Sequence, residues 1–525
     1  MTLVVGDKLP KEPVQSDALP LGWRWGAFDE LTVNFDGQRV PVSNSDRKLI
    51  QGAFPYYGAS GIIDYVNEYI FDGKYLLIAE DGANLLSRST PIAFEADGRF
   101  WVNNHAHVVQ VPGCLIPLSY LRHYINSIDL RVYISGSAQP KLNQKNLNRI
   151  QVPLPPLNEQ RRIVVKIEAL TARSQRAKEA LDAIPPLLER FRQSVLAAAF
   201  RGDLTADWRE ENPDVEPASV LLERIRAKRR HQWEVNLSAR GRDPSRARCE
   251  EVEIPDANDF PELPKNWIWT TLEQLVSSLR NGLSKKPADK PPGIPILRIS
   301  SVRSMEVDTN DIRFYRVERP DELTPYFLRA GDLLFTRYNG SQEFVGVCGL
   351  VPALDYDLIY PDKLIRAQLV KELIVPKYLE LVCNVGISRS HIERHVKTSA
   401  GQHGIAGSDI KTTPIPLPPL KEQIEIVNLV IERFSAISNL QIYSEDCLNK
   451  VSLLNQSILA KAFRGELVPQ DPNDEPASVL LERIRTEREA MATKPKRGRS
   501  VKERKGSTKT KIDPKQQTIA FDKDD

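Results

Sequence analysis

Two histidine pairs have the spacing that comes closest to catalytic or metal-binding chemistry. His391 and His395 are four residues apart in HIERH, so a helix would place both imidazoles on one face, where they are able to bind a metal ion. The order differs from the H-E-x-x-H motif of zinc metalloproteases and no third ligand is evident, so we interpret this pair as a helix surface. His105 and His107 alternate on a predicted strand, and their pattern fits a polar strand face as well as base or phosphate contacts.

The motifs of nucleotide-dependent and DNA-modifying enzymes are absent from the sequence. There is no G-x-x-x-x-G-K-[ST] loop and no G-x-G-x-x-G after a predicted strand. The nearest match to the Asn-Pro-Pro-Tyr/Phe motif of adenine methyltransferases is 212–215, Asn-Pro-Asp-Val, in a polar loop. Neither 361–362 nor 503–505 supplies the clustered carboxylates and lysine of a two-metal nuclease. The sequence therefore predicts a chain without catalysis of its own.

Composition narrows the class of protein further. The chain has 525 residues, of which 41% are hydrophobic, which is enough for several domains. The net charge is +3, but Lys494–Asp525 alone carries 11 Lys/Arg and 5 Asp/Glu, so the rest of the chain is slightly acidic. A nucleic-acid binder of this composition needs local basic clusters or a basic partner. The 5 cysteines are scattered, there is no long apolar run, and the first residues do not resemble a secretory signal, which predicts a cytoplasmic protein.

A long internal repeat organises the chain. Four segments occur twice, and two of them, the proline-rich one and the one ending in AFRG, recur at an offset of 263 residues. The segments between them, about 32–149 and 276–412, are dissimilar. The repeated segments therefore share one structural role, whereas the two diverged segments indicate two different recognition roles. The repeated segments are LPLGWRWGAFDEL (19–31) with LPKNWIWTTLEQL (263–275), VPLPPLNEQ (152–160) with IPLPPLKEQ (415–423), QSVLAAAFRG (193–202) with QSILAKAFRG (456–465), and EPASVLLERIR (216–226) with the same letters at 475–485.

The repeated segments after each proline-rich stretch predict long helices with a heptad pattern. Apolar or small residues recur in steps of three and four. Pro185-Pro186 predicts a break in the first helix, where the second has Leu448-Asn449. The pattern fits a dimerisation coil or two helices that pair antiparallel within one chain as a spacer. The heptad positions are Ile163, Ile167, Leu170, Ser174, Ala177, Leu181 and Ile184, then Val430, Phe434, Ile437, Leu440, Ser444, Cys447, Val451, Leu454 and Ile458.

The diverged segments alternate short β-type runs with glycine-bearing turns, so we predict an α+β fold. Two mixed, β-rich domains are separated by the two long helices, with pseudo-two-fold duplication. The predicted boundaries are an arm at 1–18, a globular domain at 19–150, a helical region at 151–202, a linker at 203–262 with a helix at 216–231, a second globular domain at 263–413, a second helical region at 414–465, a linker and helix at 466–492, and a basic disordered tail at 493–525.

The duplicated frame resembles the specificity (S) subunit of type I restriction–modification enzymes. The resemblance extends from about Leu19 to Arg488, and YYGASGIIDY (56–65) and LRISSV (297–302) look like parts of that family's target-recognition domains. It implies that each globular domain reads one half of a bipartite, asymmetric site in double-stranded DNA. It also implies that the helices form an antiparallel spacer and dock two adenine-methyltransferase subunits, which restriction subunits join.

The resemblance implies no cofactor in this chain, because S-adenosylmethionine, ATP and Mg²⁺ belong to the partner subunits. No membrane contact is expected. The alternative is a coiled-coil scaffold that bridges two protein partners without sequence-specific DNA binding. Base readers should be polar or basic side chains on turns. Our candidates are Tyr57, Ser60, Asn103, His105, His107, Gln139 and Lys141 in the first domain, and Arg298, Ser300, Arg303, Arg337, Tyr338, Asn339, Gln402 and His403 in the second.

Overall fold

The structure is a computed structural model that describes residues 19–136, 139–239, 241–246, 259–316, 320–370, 372–399 and 401–493. The predicted arm at 1–18 and the basic tail beyond residue 493 lie outside these ranges. The described residues form two compact units. Unit 1 contains those up to Arg176 and from Val451 onward, and unit 2 contains those from Ala177 to Lys450. Each unit therefore includes one globular domain and parts of both repeated helices.

Domain 1, residues 19–154 of unit 1, is a β-rich domain with short helices. Its strands make two four-stranded sheets, in the orders β2-β9-β6-β7 and β4-β3-β8-β5, and a separate pair β1-β10. These strands are β1 (Arg24–Ala27), β2 (Val33–Asn34), β3 (Gln51–Gly58), β4 (Gly61–Val66), β5 (Phe71–Asp72), β6 (Tyr75–Ala79), β7 (Ala93–Ala96), β8 (Arg99–Val102), β9 (Ala106–Gln110) and β10 (Gln151–Leu154). The helices are α1 (Phe28–Leu31), α2 (Asn44–Leu49), α3 (Asn84–Ser87), α4 (Leu118–Ser127) and α5 (Gln144–Asn148).

Strand β6 shows how domain 1 buries both faces of a sheet. Leu76 and Ile78 pack with α4 residues in the main core of unit 1. Leu77 faces the other way, into a separate cluster with Phe71 and Phe100. Successive side chains of a strand point to opposite faces, so an all-apolar strand such as this one must be covered on both sides.

Four helices follow domain 1 in the chain: α6 (Leu157–Asp182), α7 (Ile184–Arg201), α8 (Ala206–Glu211) and α9 (Ala218–Ala239). The first repeated helix is interrupted at Ala183, next to Pro185-Pro186, where the missing amide protons and the rings oppose continuation. Helix α7 ends at Gly202, which has a φ of 82° in the left-handed region that favours glycine. Helix α9 extends eight residues beyond the end predicted at 231.

Domain 2, residues 263–417 of unit 2, has a four-stranded sheet in the order β12-β20-β17-β19, a three-stranded sheet in the order β18-β22-β21, and the pairs β11-β23, β13-β16 and β14-β15. The strands are β11 (Ile268–Thr271), β12 (Val276–Asn281), β13 (Ile294–Leu297), β14 (Val302–Arg303), β15 (Glu306–Val307), β16 (Ile312–Tyr315), β17 (Leu333–Thr336), β18 (Tyr338–Asn339), β19 (Cys348–Leu350), β20 (Leu364–Leu369), β21 (Lys397–Ser399), β22 (Gln402–Gly404) and β23 (Pro414–Leu417). The helices are α10 (Leu272–Leu275), α11 (Pro376–Cys383), α12 (Gly386–Arg394) and α13 (Gly407–Lys411).

The chain ends with α14 (Leu420–Phe463) and α15 (Ala477–Thr493). Helix α14 runs without interruption through Leu448-Asn449, the positions aligned with the proline pair of the first copy. Its heptad positions are only partly covered. Val430 and Ile437 are buried, whereas Leu440 and Leu454 are 54% and 53% exposed. None of the helices in the described ranges combines the length and the apolar character that a membrane span requires.

The repeated motifs make the same contacts in each unit. The first tryptophan of W-x-W donates its indole proton to the glutamate of PLPPL-x-EQ, from Trp23 to Glu159 over 3.1 Å and from Trp267 to Glu422 over 2.8 Å. The glutamine of that motif donates to a carbonyl of its own proline pair, from Gln160 in unit 1 over 2.8 Å and from Gln423 in unit 2 over 3.1 Å. These buried polar contacts fix each domain to the start of the helix that follows it.

Candidate nucleic-acid interface

The basic sheet of domain 2 consists of β18, β22 and β21 with the adjoining cations Arg337 and Lys363. Its strands align Tyr338 with Gly404, and Asn339 with His403. The amide of Arg337 donates to the carbonyl of Lys363 over 2.7 Å, which places the lysine beside the start of β18. The structure therefore brings together five candidates from the sequence: Arg337, Tyr338, Asn339, Gln402 and His403.

Two cations contact the ring of Tyr338. The Arg337 guanidinium carbon is 4.7 Å from the ring centroid, and the Lys363 ammonium is 5.0 Å from it. Close approach of the ring to the next strand depends on Gly404, since a Cβ there would lie 2.5 Å from Cδ1 of Tyr338. Attraction to the aromatic face holds both cations without using their N–H groups, although the Arg337 Nε is buried.

The cations of the basic sheet are not neutralised by carboxylates. Within the described ranges, Arg337, Lys363 and Lys397 form no ion pair. Arg337 donates through Nη1 to the backbone carbonyl of Asp362 over a long 3.4 Å, and the Asp362 side chain accepts from Ser284. Donors without acidic partners next to an exposed sheet suit guanine edges or phosphates.

Amide and hydroxyl groups complete the basic sheet. His403 Nδ1 and Thr398 Oγ1 are 2.8 Å apart, which orients the imidazole. Ser399 is paired with Gln402 across the strands, and both are exposed. These groups are able to donate and accept, as base edges require.

Domain 1 contains a charged cluster where domain 2 has Arg337 and the basic sheet. The members of this cluster are Asp36, Arg39, Glu80, His107 and Lys141. His107 is 1% exposed, with Nδ1 2.6 Å from Asp36 Oδ2 and Nε2 2.7 Å from the carbonyl of Leu142. Both neighbours are acceptors, so both hydrogen bonds exist only when the imidazole carries two protons. Arg39 and Lys141 pair with Glu80 at 2.7 Å and 3.1 Å. The cluster connects four segments of the chain: 36–39, Glu80, His107 on β9, and 141–142.

Opposite charges within the charged cluster lower the pKa of its carboxyls. Burial alone would raise the pKa of Asp36, but the hydrogen bond and charge of His107, together with hydrogen bonds from Val108 and Asn34, outweigh it. Burial likewise opposes ionisation of Glu80, but the hydrogen bonds from Arg39 and Lys141 and the charges of His107 and Arg39 together outweigh it, so its pKa is also lowered. Carboxyls with lowered pKa add stability above their unfolded pKa, and this stability is lost as the pH falls through the folded value.

The charged cluster contains the one candidate metal-ligand group found among the described residues. Ligand atoms of Asp36, Glu80 and His107 lie within 4.8 Å of one another. Both imidazole nitrogens already contact acceptors, and two cations balance Glu80. The residues therefore fit an ion-pair network better than a metal site.

The other candidates of domain 1 differ in their exposure and contacts. His105 is half exposed, and its Nδ1 is 2.9 Å from Asp81. Asn103 is 7% exposed, and its side chain accepts from the amide of His105. Tyr57 packs against Phe94 and Phe100, with ring centroids at 5.8 Å and 5.5 Å. Ser60 and Gln139 are exposed on turns. His105, Lys141, Ser60 and Gln139 therefore offer polar groups to solvent, whereas Tyr57, Asn103 and His107 support the domain.

Three candidates of domain 2 occur away from the basic sheet. Arg298 and Ser300 both contact Asp311, the arginine at 3.5 Å. The guanidinium of Arg303 lies 4.8 Å from the ring centroid of Phe344. None of the described contacts connects these three residues with β18, β21 or β22.

Sequence reasoning missed Lys363 and Lys397, and also Arg39 with its acidic partners. Lys363 had one detectable signal, because it directly precedes the apolar strand β20 as His105 closely precedes β9. Arg39 had none, because its role depends on a long-range contact with Glu80.

Comparison with known proteins gives the family. Residues 32–184 match the family model "Type I restriction modification DNA specificity domain". The chain is 38% identical over 396 residues to the "Type I restriction enzyme EcoKI specificity subunit" of Escherichia coli strain K12, covering 73% of this chain and 74% of the relative. This chain belongs to the type I restriction enzyme specificity subunits. It is also 30% identical to the StySPI specificity subunit of Salmonella potsdam, covering 72% and 73% of the two chains.

The fold agrees with this family. The HsdS subunit from Thermoanaerobacter tengcongensis superposes with a TM-score of 0.52 at 17% identity, over 86% of this chain and 99% of the other. The α+β class is confirmed. As a specificity subunit, the chain is a sequence-recognition component of a restriction–modification system and a non-catalytic one, which confirms both predictions.

Proposed function

We propose that domains 1 and 2 each read one half of a bipartite DNA site, and that the basic sheet is the reading surface of domain 2. The observation that carries this proposal is the group of donors around Tyr338. Arg337 and Lys363 stand beside exposed polar strands without carboxylate partners. A two-stranded or three-stranded β-ribbon fits the major groove, where arginine or lysine donates to O6 and N7 of guanine. The half-site of domain 2 therefore contains at least one guanine.

In domain 1 fewer polar side chains are exposed for contact with DNA. His105 and Lys141 have side chains that are 47% and 49% exposed, and both are held by acids behind them, Asp81 and Glu80. A fixed ammonium or imidazole supports contacts to base acceptors or phosphates. The charged cluster therefore acts as the support, and the half-exposed side chains make the contact.

The repeated helices form an antiparallel spacer and the docking surface for two adenine-methyltransferase subunits, with restriction subunits joining the complex. Two observations support this. The Trp–Glu contact is the same at the start of α6 and of α14, which gives two equivalent places for one partner. Ile442, Tyr443 and Leu453 of α14 are 65%, 65% and 63% exposed, which suits contact with protein. S-adenosylmethionine, ATP and Mg²⁺ act in the partners.

Methylation mapping tests the proposal. The chain is assembled with its methyltransferase partner, given unmethylated DNA, and the modified adenines are mapped. We expect a bipartite motif with an unspecified gap. A complex that assembles but methylates no such motif would refute the two-domain proposal and favour the alternative of a scaffold without sequence-specific DNA binding.

The spacer role is tested by changing the length of the two repeated helices. Inserting seven residues into each repeated helix adds about 10.5 Å of helix, which corresponds to about three base pairs at about 3.4 Å each. The gap of the methylated motif should widen by this amount while both half-sites stay the same. An unchanged gap in an active complex would contradict the spacer role.

A further inference from the structure

Domain 2 contains an open cavity of about 530 Å³ that we call the arginine cleft. It lies at the edge of the four-stranded sheet, against the loop before β17. Its polar lining comes from Ser278, Arg280, Thr324, Arg329, Arg366 and Gln368. Three guanidinium groups in one cleft require an explanation, because like charges repel one another.

Arg366 forms the floor of the arginine cleft and is only 6% exposed. Its Nη1 and Nη2 donate to the carbonyls of Phe327 and Pro325 over 2.6 Å and 3.1 Å. Its Nε lies 3.8 Å from the buried carboxylate of Asp332, too far for a hydrogen bond, and has no other acceptor within the described ranges. The floor therefore holds a buried cation whose partner is distant.

Arg280 and Arg329 form the exposed walls of the cleft, and neither pairs with an acid among the described residues. Arg280 stacks 4.9 Å from the ring centroid of Tyr326, which positions the guanidinium without neutralising it. Asp355 and Asp357 line a neighbouring depression with Arg329 but form no ion pair with it. Two cations without an ion pair in the described ranges thus face an open cleft, and the buried carboxylate of Asp332, which accepts from the Arg329 amide over 3.0 Å, offsets part of the Arg329 charge.

The fold itself does not need this arginine. Arg366 pairs with Leu334 across β20 and β17, and Val108 pairs with Leu77 across β9 and β6 in domain 1. The domain 1 pair is buried in an aromatic cluster. A valine is therefore sufficient at this position of the sheet, and the arginine of domain 2 has a different role.

We propose that the arginine cleft binds one phosphodiester of the DNA whose bases contact the basic sheet. This inference rests on the proposed function of domain 2. Arg337 is three residues beyond Leu334, the cross-strand partner of Arg366, so these two backbone positions are at most about 10 Å apart at about 3.3 Å per residue. A DNA strand covers a separation of this size in about three steps at about 3.4 Å each. The exposed rim lets a continuous backbone pass, and forked guanidinium groups match phosphate oxygens.

Salt dependence tests the cleft in the assembled methyltransferase complex. The double variant Arg280→Gln, Arg329→Gln removes the exposed cations and leaves Arg366 in its buried contacts. Losing one phosphate contact should reduce the slope of log K against log salt by about 0.9 and weaken binding about tenfold at moderate salt. The methylated motif should stay the same, because phosphate contacts carry no base information. Arg394→Gln, an exposed arginine on α12, is the matched control and should leave the slope unchanged.

A second measurement identifies the ligand as DNA phosphate. Duplexes with a single neutral methylphosphonate are scanned through the three base pairs on each side of the guanine read by domain 2. One position should weaken binding of the wild-type complex about tenfold and leave the double variant unaffected, because both changes remove the same contact.

Three outcomes would overturn the assignment: an unchanged salt slope, an altered methylated motif, or equal sensitivity of variant and wild type at every methylphosphonate position. Inhibition of the wild-type complex by inorganic phosphate with an unchanged slope would also overturn it and point to a free anion. Failure of the proposed function is distinct, since the wild-type complex would then give no bipartite motif.

Discussion

Domains 1 and 2 have the same backbone hydrogen bonds around opposite charges. In domain 1 the amide of Glu80 donates to the carbonyl of His105 over 2.9 Å, and its carbonyl accepts from Leu142 over 2.8 Å. In domain 2 the amide of Arg337 donates to Lys363 over 2.7 Å, and its carbonyl accepts from Ile405 over 3.0 Å. A glutamate and an arginine thus occupy equivalent positions.

The difference shows which contacts are free to vary. The shared geometry comes from main-chain bonds, which do not depend on side-chain identity. In domain 1 the side chains at these positions form an internal network, so few donors face solvent. In the described part of domain 2 they form no ion pair and remain available for a ligand. A constant backbone with exchangeable side chains is what two readers of different sequences require.

Exchange of a whole domain should give the largest effect. Replacing residues 276–412 with the corresponding segment of another specificity subunit should replace one half of the methylated motif and leave the other half unchanged. Each lost base pair costs about 1–3 kcal/mol, so several together abolish modification of the original site. Sequencing of methylated DNA measures this. A change in both halves would show that the domains do not read independently.

Removal of Arg209 should give the next largest effect. It compares how the two units stabilise the glutamate of the repeated Trp–Glu contact. The Arg209 guanidinium lies 2.6 Å from the carboxylate of Glu422, which is 1% exposed. Arg209→Ala leaves that charge buried with only Trp267 and Thr205 as donors, and the free energy of unfolding should fall by about 3 kcal/mol. Urea denaturation measures the loss.

Glu159 provides the matched control for Arg209. Its Oε1 is buried without a hydrogen-bond partner in the described ranges, and burial raises the pKa of its carboxyl. A raised folded pKa means that the stability it provides is present at low pH and lost as the pH rises through that value. Glu159→Gln should therefore be nearly neutral at low pH and become relatively stabilising as the pH increases. A loss as large as that of Arg209→Ala would contradict the difference between the units.

The sequence predicted the repeated helices better than the side-chain contacts between distant residues. Heptad spacing and the Pro185-Pro186 pair depend on local rules, and the helix is interrupted at Ala183, beside that pair. The role of His107 was not predictable, because its burial depends on Asp36, 71 residues away. Lys363 directly precedes the apolar strand β20, but only the pairing of β20 with β17 places it beside Tyr338.

Arg337→Ala should have an intermediate effect on the reading surface. It removes a donor at the position where domain 1 has Glu80, so discrimination at one base pair of the second half-site should fall by about 1–3 kcal/mol. Competitive methylation of sites that differ at single positions measures this. The first half-site is the internal control. Uniform weakening on all sequences would instead assign Arg337 to a phosphate contact.

Gly404→Ala should have the smallest effect and probes the geometry that separates the two domains. Gly404 is aligned with Lys141 at the 263-residue offset of the repeat, so a side chain is tolerated at that position in domain 1. In domain 2 a Cβ would lie 2.5 Å from Tyr338 Cδ1, so the ring must shift relative to Arg337 and Lys363. The displacement costs about 1 kcal/mol of packing and cation–π contact. We expect the Gly404→Ala complex to bind roughly fivefold more weakly than wild type, and comparison of DNA sites that differ only in the second half-site should assign the loss to that half-site. Lys141→Ala, measured in parallel, should affect recognition of the first half-site only. Equal loss on both half-sites would mean that the strand, rather than the position of Tyr338, had been disturbed.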